Sequence, residues 1–204
     1  MKTRIIMIAV LALICGQAAM AQTKTTFGIR GGVNFQNLNG KDQNGDRIDG
    51  KLRTGFHVGA NAEIPVGIDF YLQPGVLFST KGAKAKDIAE TSLSYIEVPV
   101  NFVYKPDLGT GRVLLGFGPY LGIGVGGQYK VGNMEADVEF GNEPGEVKRL
   151  DAGASMLAGY EWSNKVSVQL NAALGLVNLH NRVANDNKSS LKNTGFGLSV
   201  GYRF

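Results

Sequence analysis

The chain has 204 residues, of which 29 are glycine, six proline and one cysteine, and its formal net charge is +4. Abundant glycine with no sustained helical apolar period excludes a helical fold and points to an all-β chain. No Lys/Arg block is interleaved with aromatics, which argues against nucleic acid as a partner, and no apolar run long enough for a transmembrane helix follows Gln22.

The first residues, MKTRIIMIAVLALICGQAAMAQ, have the layout of an export signal. Lys2 and Arg4 form a basic start, Ile5 to Cys15 an apolar stretch too short to span a bilayer, and Ala19-Met20-Ala21 a small-x-small cleavage site. Residues 1–21 are expected to be removed, leaving 22–204 as one barrel domain. A lipid-modified Cys15 is the alternative, but Ile14 stands where a small residue is needed. Cleavage removes Cys15 and two basic charges, so 21 − 2 = 19 basic residues face 17 acidic ones. The mature chain then has neither a disulfide nor a thiol-based metal site.

In chain order, period-two segments predict eight strands near residues 25–35, 54–64, 68–80, 92–104, 112–125, 150–161, 165–176 and 193–204. The second alternates Phe56, Val58, Ala60, Ala62 and Ile64 against His57, Gly59, Asn61 and Glu63. The seventh opposes Val166, Val168, Leu170, Ala172, Leu174 and Leu176 to Ser167, Gln169, Asn171, Ala173 and Gly175. The eighth carries the alternation to the last residue, Phe204.

Links 36–53, 81–91, 126–149 and 177–192 are long and polar; those at 65–67, 105–111 and 162–164 are short. Long loops at one end and short turns at the other predict an eight-stranded, antiparallel, up-and-down transmembrane β-barrel in the outer membrane of a Gram-negative bacterium. The rival is a secreted soluble ligand-binding barrel, apolar inside and polar outside. Two features favour the membrane. The less apolar face carries Arg30, Glu63, Glu97, Arg112, Glu161 and Arg203 among many glycines, which suits a narrow lumen filled by a few long polar side chains. Aromatics fall near strand ends, at Phe27, Phe35, Phe56, Phe70, Phe78, Tyr104, Trp162, Tyr202 and Phe204, as interfacial girdles require.

Three stretches, FGIRGGVNF (27–35), YIEVPVNFVYK (95–105) and GFGPYLGIGVGG (116–127), carry a family resemblance. With the signal, the eight strands and Phe204, the chain resembles the PorT-family outer-membrane β-barrels, most specifically at Tyr95-x-Glu97-x-Pro99 and Gly118-Pro119-Tyr120. The resemblance implies an integral outer-membrane protein and, more weakly, an accessory role in type IX secretion through contacts with secretion-system proteins. It also marks Tyr202 and Phe204 as a C-terminal signal for the barrel-assembly machinery.

Several constellations are candidate sites. The six lumen charges balance three against three and are expected to form a structural ion network, since a buried charge needs a partner. Pro99 is expected at a bulge or kink where its missing donor is tolerated. In the first loop, Asp42, Asn44, Asp46 and Asp49 have the alternate spacing of a calcium loop, but Arg47 and Arg53 occupy the positions of its glycine and bidentate glutamate. At most a weak cation site follows. His180 with Asp186, Ser189 and Ser190 could be drawn as a lipid-modifying site near the outer rim, the basis of an enzyme alternative. The third long link carries Glu135, Asp137, Glu139, Glu143 and Glu146, and its alternating MEADVEF predicts a hairpin beyond the membrane. Exposed loops on a rigid scaffold suit recognition of a protein or of lipopolysaccharide. The expectation is a non-enzymatic, cofactor-free outer-membrane barrel with a structural or accessory role, embedded among outer-membrane lipids and lipopolysaccharide.

Overall fold

The computed structural model describes residues 24–41, 45–48, 50–85, 89–141, 143, 146–181 and 189–204. The expected signal at 1–21, together with Asp42, Asn44, Asp49 and Asp186, lies outside the described residues.

Eight long antiparallel strands form one sheet: β1 (Thr26–Lys41), β3 (Lys51–Gly67), β4 (Phe70–Ala85), β5 (Ala89–Tyr104), β7 (Gly111–Val131), β9 (Leu150–Trp162), β10 (Val166–Gly175) and β11 (Ser190–Arg203). Each pairs with its sequence neighbour, and β11 pairs with β1 from Gly28↔Arg203 to Lys41↔Ser190, which closes the barrel. The C-terminal strand is therefore a wall of the cylinder and is held on both edges. Three short ribbons, β2 (Arg47–Ile48), β6 (Asp107–Leu108) and β8 (Met134–Asp137), fold back on β1 or β7. No helix occurs among the described residues.

The two faces sort as period two requires. Large apolar side chains stand outward and exposed: Phe27 is 62% exposed, Phe117 64% and Leu170 62%. Asn34, Gln36, Gln73, Asn101, Ser167, Gln169 and Ser199 are buried inside. An apolar outside around a polar inside is unstable in water and matches a lipid bilayer, which rules out the soluble barrel. Rings mark both edges of this band. At the short-turn end Phe70 stacks on Tyr104 at 4.8 Å, Tyr160 meets Trp162 at 5.3 Å and Tyr202 meets Phe204 at 5.4 Å. At the opposite edge Phe35 packs on Phe196 at 5.3 Å and Phe56 on Phe78 at 5.8 Å.

The strands run past the sequence-predicted ends on the long-loop side. β1 continues from residue 35 to Lys41, β7 from 125 to Val131, and β5 begins at Ala89 rather than 92. The apolar alternation stops where the bilayer stops, but backbone pairing does not need apolar side chains. The hairpin expected from MEADVEF forms, with β7 turning through Gly132 (φ 58°) into β8. The first short turn falls at Ile68 and Asp69 (φ 60°) rather than at 65–67.

Pro99 causes no bulge. Pairing with β4 lapses between Pro74↔Val100 and Leu77↔Glu97, then resumes in the same register, and Pro99 stays opposite Tyr120 of β7. One missing donor removes a ladder bond without adding a residue, so the register has nothing to absorb. The bulge on this wall lies higher, where Ser94↔Gly126 is followed by Tyr95↔Gly124 and leaves Val125 as the extra residue.

Candidate functional site

The lumen is filled by two charge clusters with a polar middle between them. At the short-turn end Lys105 comes from the β5 terminus, Glu63 from β3, Glu161 from β9 and Arg203 from β11. Lys105 Nζ lies 2.8 and 3.1 Å from the two Glu63 oxygens and 3.0 Å from Glu161 Oε1, with its charge 5.3 Å from the Tyr71 ring centre. Arg203 lies 3.3 Å from Glu63 and 3.7 Å from Glu161, and donates to Asn61 Oδ1 at 2.9 Å. Gln73 donates to the second Glu63 oxygen at 2.5 Å. Glu63 therefore accepts from three strands, which lets a carboxylate persist away from water.

Toward the opposite end Lys81 of β4 pairs with Glu97 of β5 and, at 3.1 Å, with Asp151 of β9. Asp151 also accepts from Tyr120 OH at 3.2 Å and Asn193 Nδ2 at 2.9 Å. The rings of Tyr120 and Tyr95 flank the ammonium, 4.4 and 5.4 Å from its nitrogen. Two of the three stretches that carry the family resemblance thus meet on one buried lysine: Tyr95 and Glu97 from 95–105, Tyr120 from 116–127. Gly118 belongs there for steric reasons, since a Cβ would stand 2.0 Å from the Val100 carbonyl oxygen.

Between the clusters, His57 Nδ1 donates to Asn34 Oδ1 at 2.7 Å and Nε2 accepts from Ser199 Oγ at 2.7 Å, the tautomer this network favours. Asn34 Nδ2 donates to Ser79 Oγ at 3.1 Å, Asn171 Nδ2 to Ser199 Oγ at 2.5 Å and Arg30 Nη1 to Gln169 Oε1 at 3.4 Å. A serine, histidine and amide in series resemble a nucleophile with its base. Ser199, however, is 1% exposed and its oxygen already takes the Asn171 donor, so no substrate reaches it. The remaining space near Arg30, Asn34 and Asn101 is a cavity of about 70 Å³.

Five of the six sequence-predicted lumen charges sit inside the barrel, but they do not form one network. Glu63, Glu161 and Arg203 meet at one end, Glu97 lies in the other cluster, and Arg30 contacts Gln169 between them. Arg112 departs from the expectation. It stands on the rim, 41% exposed in its side chain, paired with Asp107 at 2.9 Å and donating to Tyr71 OH at 3.1 Å. The β6 ribbon presents Asp107 directly opposite it and draws it out of the lumen.

Lys81, Lys105 and Asp151 went unread. The sequence pattern placed the two lysines in connecting segments, and Asp151 at a strand start, although all three are almost wholly buried. Among the described residues, the two clusters and Arg30 bring Arg30, Lys81, Lys105 and Arg203 against Glu63, Glu97, Asp151 and Glu161.

The third and fourth long links meet at the long-loop mouth. Phe140 points into it and meets Tyr95 edge-on at 6.4 Å. The strand-like pair Phe140↔Val147 and the bridge Val147↔His180 knit the third and fourth long links together. Asn181 Nδ2 donates to Gly141 O at 2.8 Å, and Leu179 is fully buried beneath. His180 and Ser189 make contacts within these links, Ser190 starts β11 opposite Lys41, and Asp186 falls outside the described residues. Asp46, the described member of the first-loop cation candidate, is exposed and has a partner of its own. No group of three or more His, Cys, Asp or Glu residues able to hold a metal occurs among the described residues. Tyr202 and Phe204 stand outward at the girdle, with the Phe204 N–H donating to Phe27 O at 2.8 Å across the closing seam.

A closed barrel with an apolar exterior, two aromatic edges and an ion-paired core defines an integral outer-membrane β-barrel protein. The chain belongs to the family described as outer membrane protein beta-barrel domain, which matches residues 6–204. Among solved structures it is similar in fold to neisserial surface protein A, with a TM-score of 0.52, 11% identity, 89% of this chain and 100% of that one covered. Ail, the attachment invasion locus protein of Yersinia pestis (TM-score 0.46, 12% identity), and a major outer membrane protein of Thermus thermophilus (0.47, 15%) align over the same shares. No curated protein sequence matches it.

Proposed function

We propose that the protein is a non-conducting, non-enzymatic outer-membrane scaffold that works through partners bound at its extracellular β7–β8 hairpin and the links beside it. The observation that carries this reading is the occlusion of the lumen at two levels. Glu63, Lys105, Glu161 and Arg203 close the periplasmic end, and the Phe140 lid covers the Lys81 cluster at the mouth. Among the described residues these two levels fill the lumen, which leaves the rims for function. The hairpin exposes Glu135 and Asp137, with Lys130 paired to Glu135 at 2.6 Å.

The resemblance to PorT-family barrels supports a secretion-system assembly as the partner. The family match is coarser and does not carry that role. Affinity purification from gently solubilised outer membranes, with the tag in a long loop so that Phe204 stays free, tests the reading. Stoichiometric recovery of other membrane or periplasmic proteins, lost when residues 132–137 are replaced by Gly-Ser, is the expected result. Recovery of the barrel alone after crosslinking, or steady nanosiemens channels in planar bilayers, would overturn it.

A further inference from the structure

A group of basic residues stands outside the barrel on one side of the extracellular end. Alternation on β1 and β11 turns Lys41 and Lys192 outward, above the Phe35–Phe196 ring pair. Lys41 is directly opposite Arg47 of β2, and Lys192 is opposite Asn39, which makes it the diagonal neighbour of Lys41. On the next wall Lys51 is directly opposite Lys84. Like charges facing each other across a ladder are destabilising, and a sheet normally avoids them. Here two such pairs stand side by side on consecutive hairpins. Lys84 is offset by Glu90 at 3.3 Å, whereas no ion pair joins Lys41, Arg47 or Lys192 to a carboxylate among the described residues. The β7–β9 side carries Glu135, Asp137, Glu139 and Glu143 together with Lys130, Lys148 and Arg149, so charge there is mixed.

Height fixes the occupant. Lys192 is four residues above Phe196, about 13 Å along the strand and about 10 Å along the membrane normal at the tilt of such barrels. Lysine and arginine stems reach back toward the bilayer from that level. What lies there, continuous with the lipid that covers the apolar band, is the headgroup layer of the outer leaflet.

We infer that Lys41, Arg47 and Lys192 form a binding surface for the phosphates of lipid A in the outer leaflet. This goes beyond the scaffold reading, since it concerns the lipid-facing wall and not the hairpin, and either can fail without the other. The bound phosphates supply counter-charge to these side chains, and the protein gains a fixed side toward its lipid shell.

The test uses the full mature barrel folded in phosphatidylcholine nanodiscs and titrated with fluorescent bisphosphorylated lipid A. Wild type is expected to bind, and the triple variant Lys41→Gln/Arg47→Gln/Lys192→Gln to bind at least about tenfold more weakly, given the contribution of each basic side chain near a charged lipid surface. Lys165→Gln, at the short-turn end, is expected to bind as wild type. Should the triple variant lose its heat-modifiable gel mobility, the charge-preserving Lys41→Arg/Lys192→Arg variant takes its place and must retain affinity. Equal affinity of wild type for dephosphorylated lipid A, or for phosphatidylglycerol, would overturn the inference, as would undiminished binding by a folded triple variant.

Discussion

Replacing Lys105 by methionine tests whether the lumen is held by charge balance. Lys105 is almost fully buried and makes three contacts of 2.8–3.1 Å to Glu63 and Glu161. Methionine keeps the apolar stem near Tyr71 and removes only the charge. Two carboxylates then face one guanidinium, Arg203, at 3.3 and 3.7 Å. One negative charge is left without compensation in a site closed to water, and breaking a buried pair in this way costs about 3–5 kcal/mol. Glu63→Gln alone leaves an excess positive charge and should cost a similar amount. The double variant restores a one-to-one pair of Glu161 and Arg203, so its cost should fall short of the sum by at least about 2 kcal/mol. Urea unfolding of barrels folded in thin phospholipid bilayers measures this. Trp162, the sole tryptophan, reports from the same end, and heat-modifiable mobility scores the folded fraction independently. A single variant within about 1 kcal/mol of wild type, or a double variant equal to the sum, would refute the charge-balance argument.

Two further outcomes use the same unfolding assay. Asp151→Ala should destabilise the barrel by about 3–5 kcal/mol, because it strips partners from Lys81, Tyr120 and Asn193 together, while Asp151→Asn, which keeps acceptors in place, should cost clearly less. A Cβ on Gly32 would stand 2.0 Å from the Leu198 carbonyl oxygen of β11, so Gly32→Val should open the closing seam and abolish the heat-resistant form; Gly126→Ala, with nothing within 4 Å, should leave it unchanged.

The amino-acid pattern determined a good deal by itself. Strict alternation in residues 54–64 and 166–176 fixed which side chains face lipid, because successive side chains of a strand point to opposite faces whatever the strand pairs with. The alternation of long and short links fixed the up-and-down order, and aromatic positions fixed the bilayer edges. Arg30, Glu63, Glu97, Glu161 and Arg203 were legible as inward charges on the same ground.

What alternation could not supply was company. Whether Lys105 meets Glu63 or Arg112 does depends on how strands separated by 42 residues stagger around the cylinder, a property of the closed sheet and not of any one strand. Lys81 was hidden because outward apolar residues end at the bilayer while backbone pairing continues above it, so a buried, strand-borne lysine looked like a loop lysine. Arg112 was misplaced because the two-residue β6 ribbon, too short to show a period, sets Asp107 beside it. The sequence thus decided which face each residue takes. Only closure of the barrel decided its partners, because a charge buried in a narrow lumen chooses among groups that the chain brings together from opposite walls.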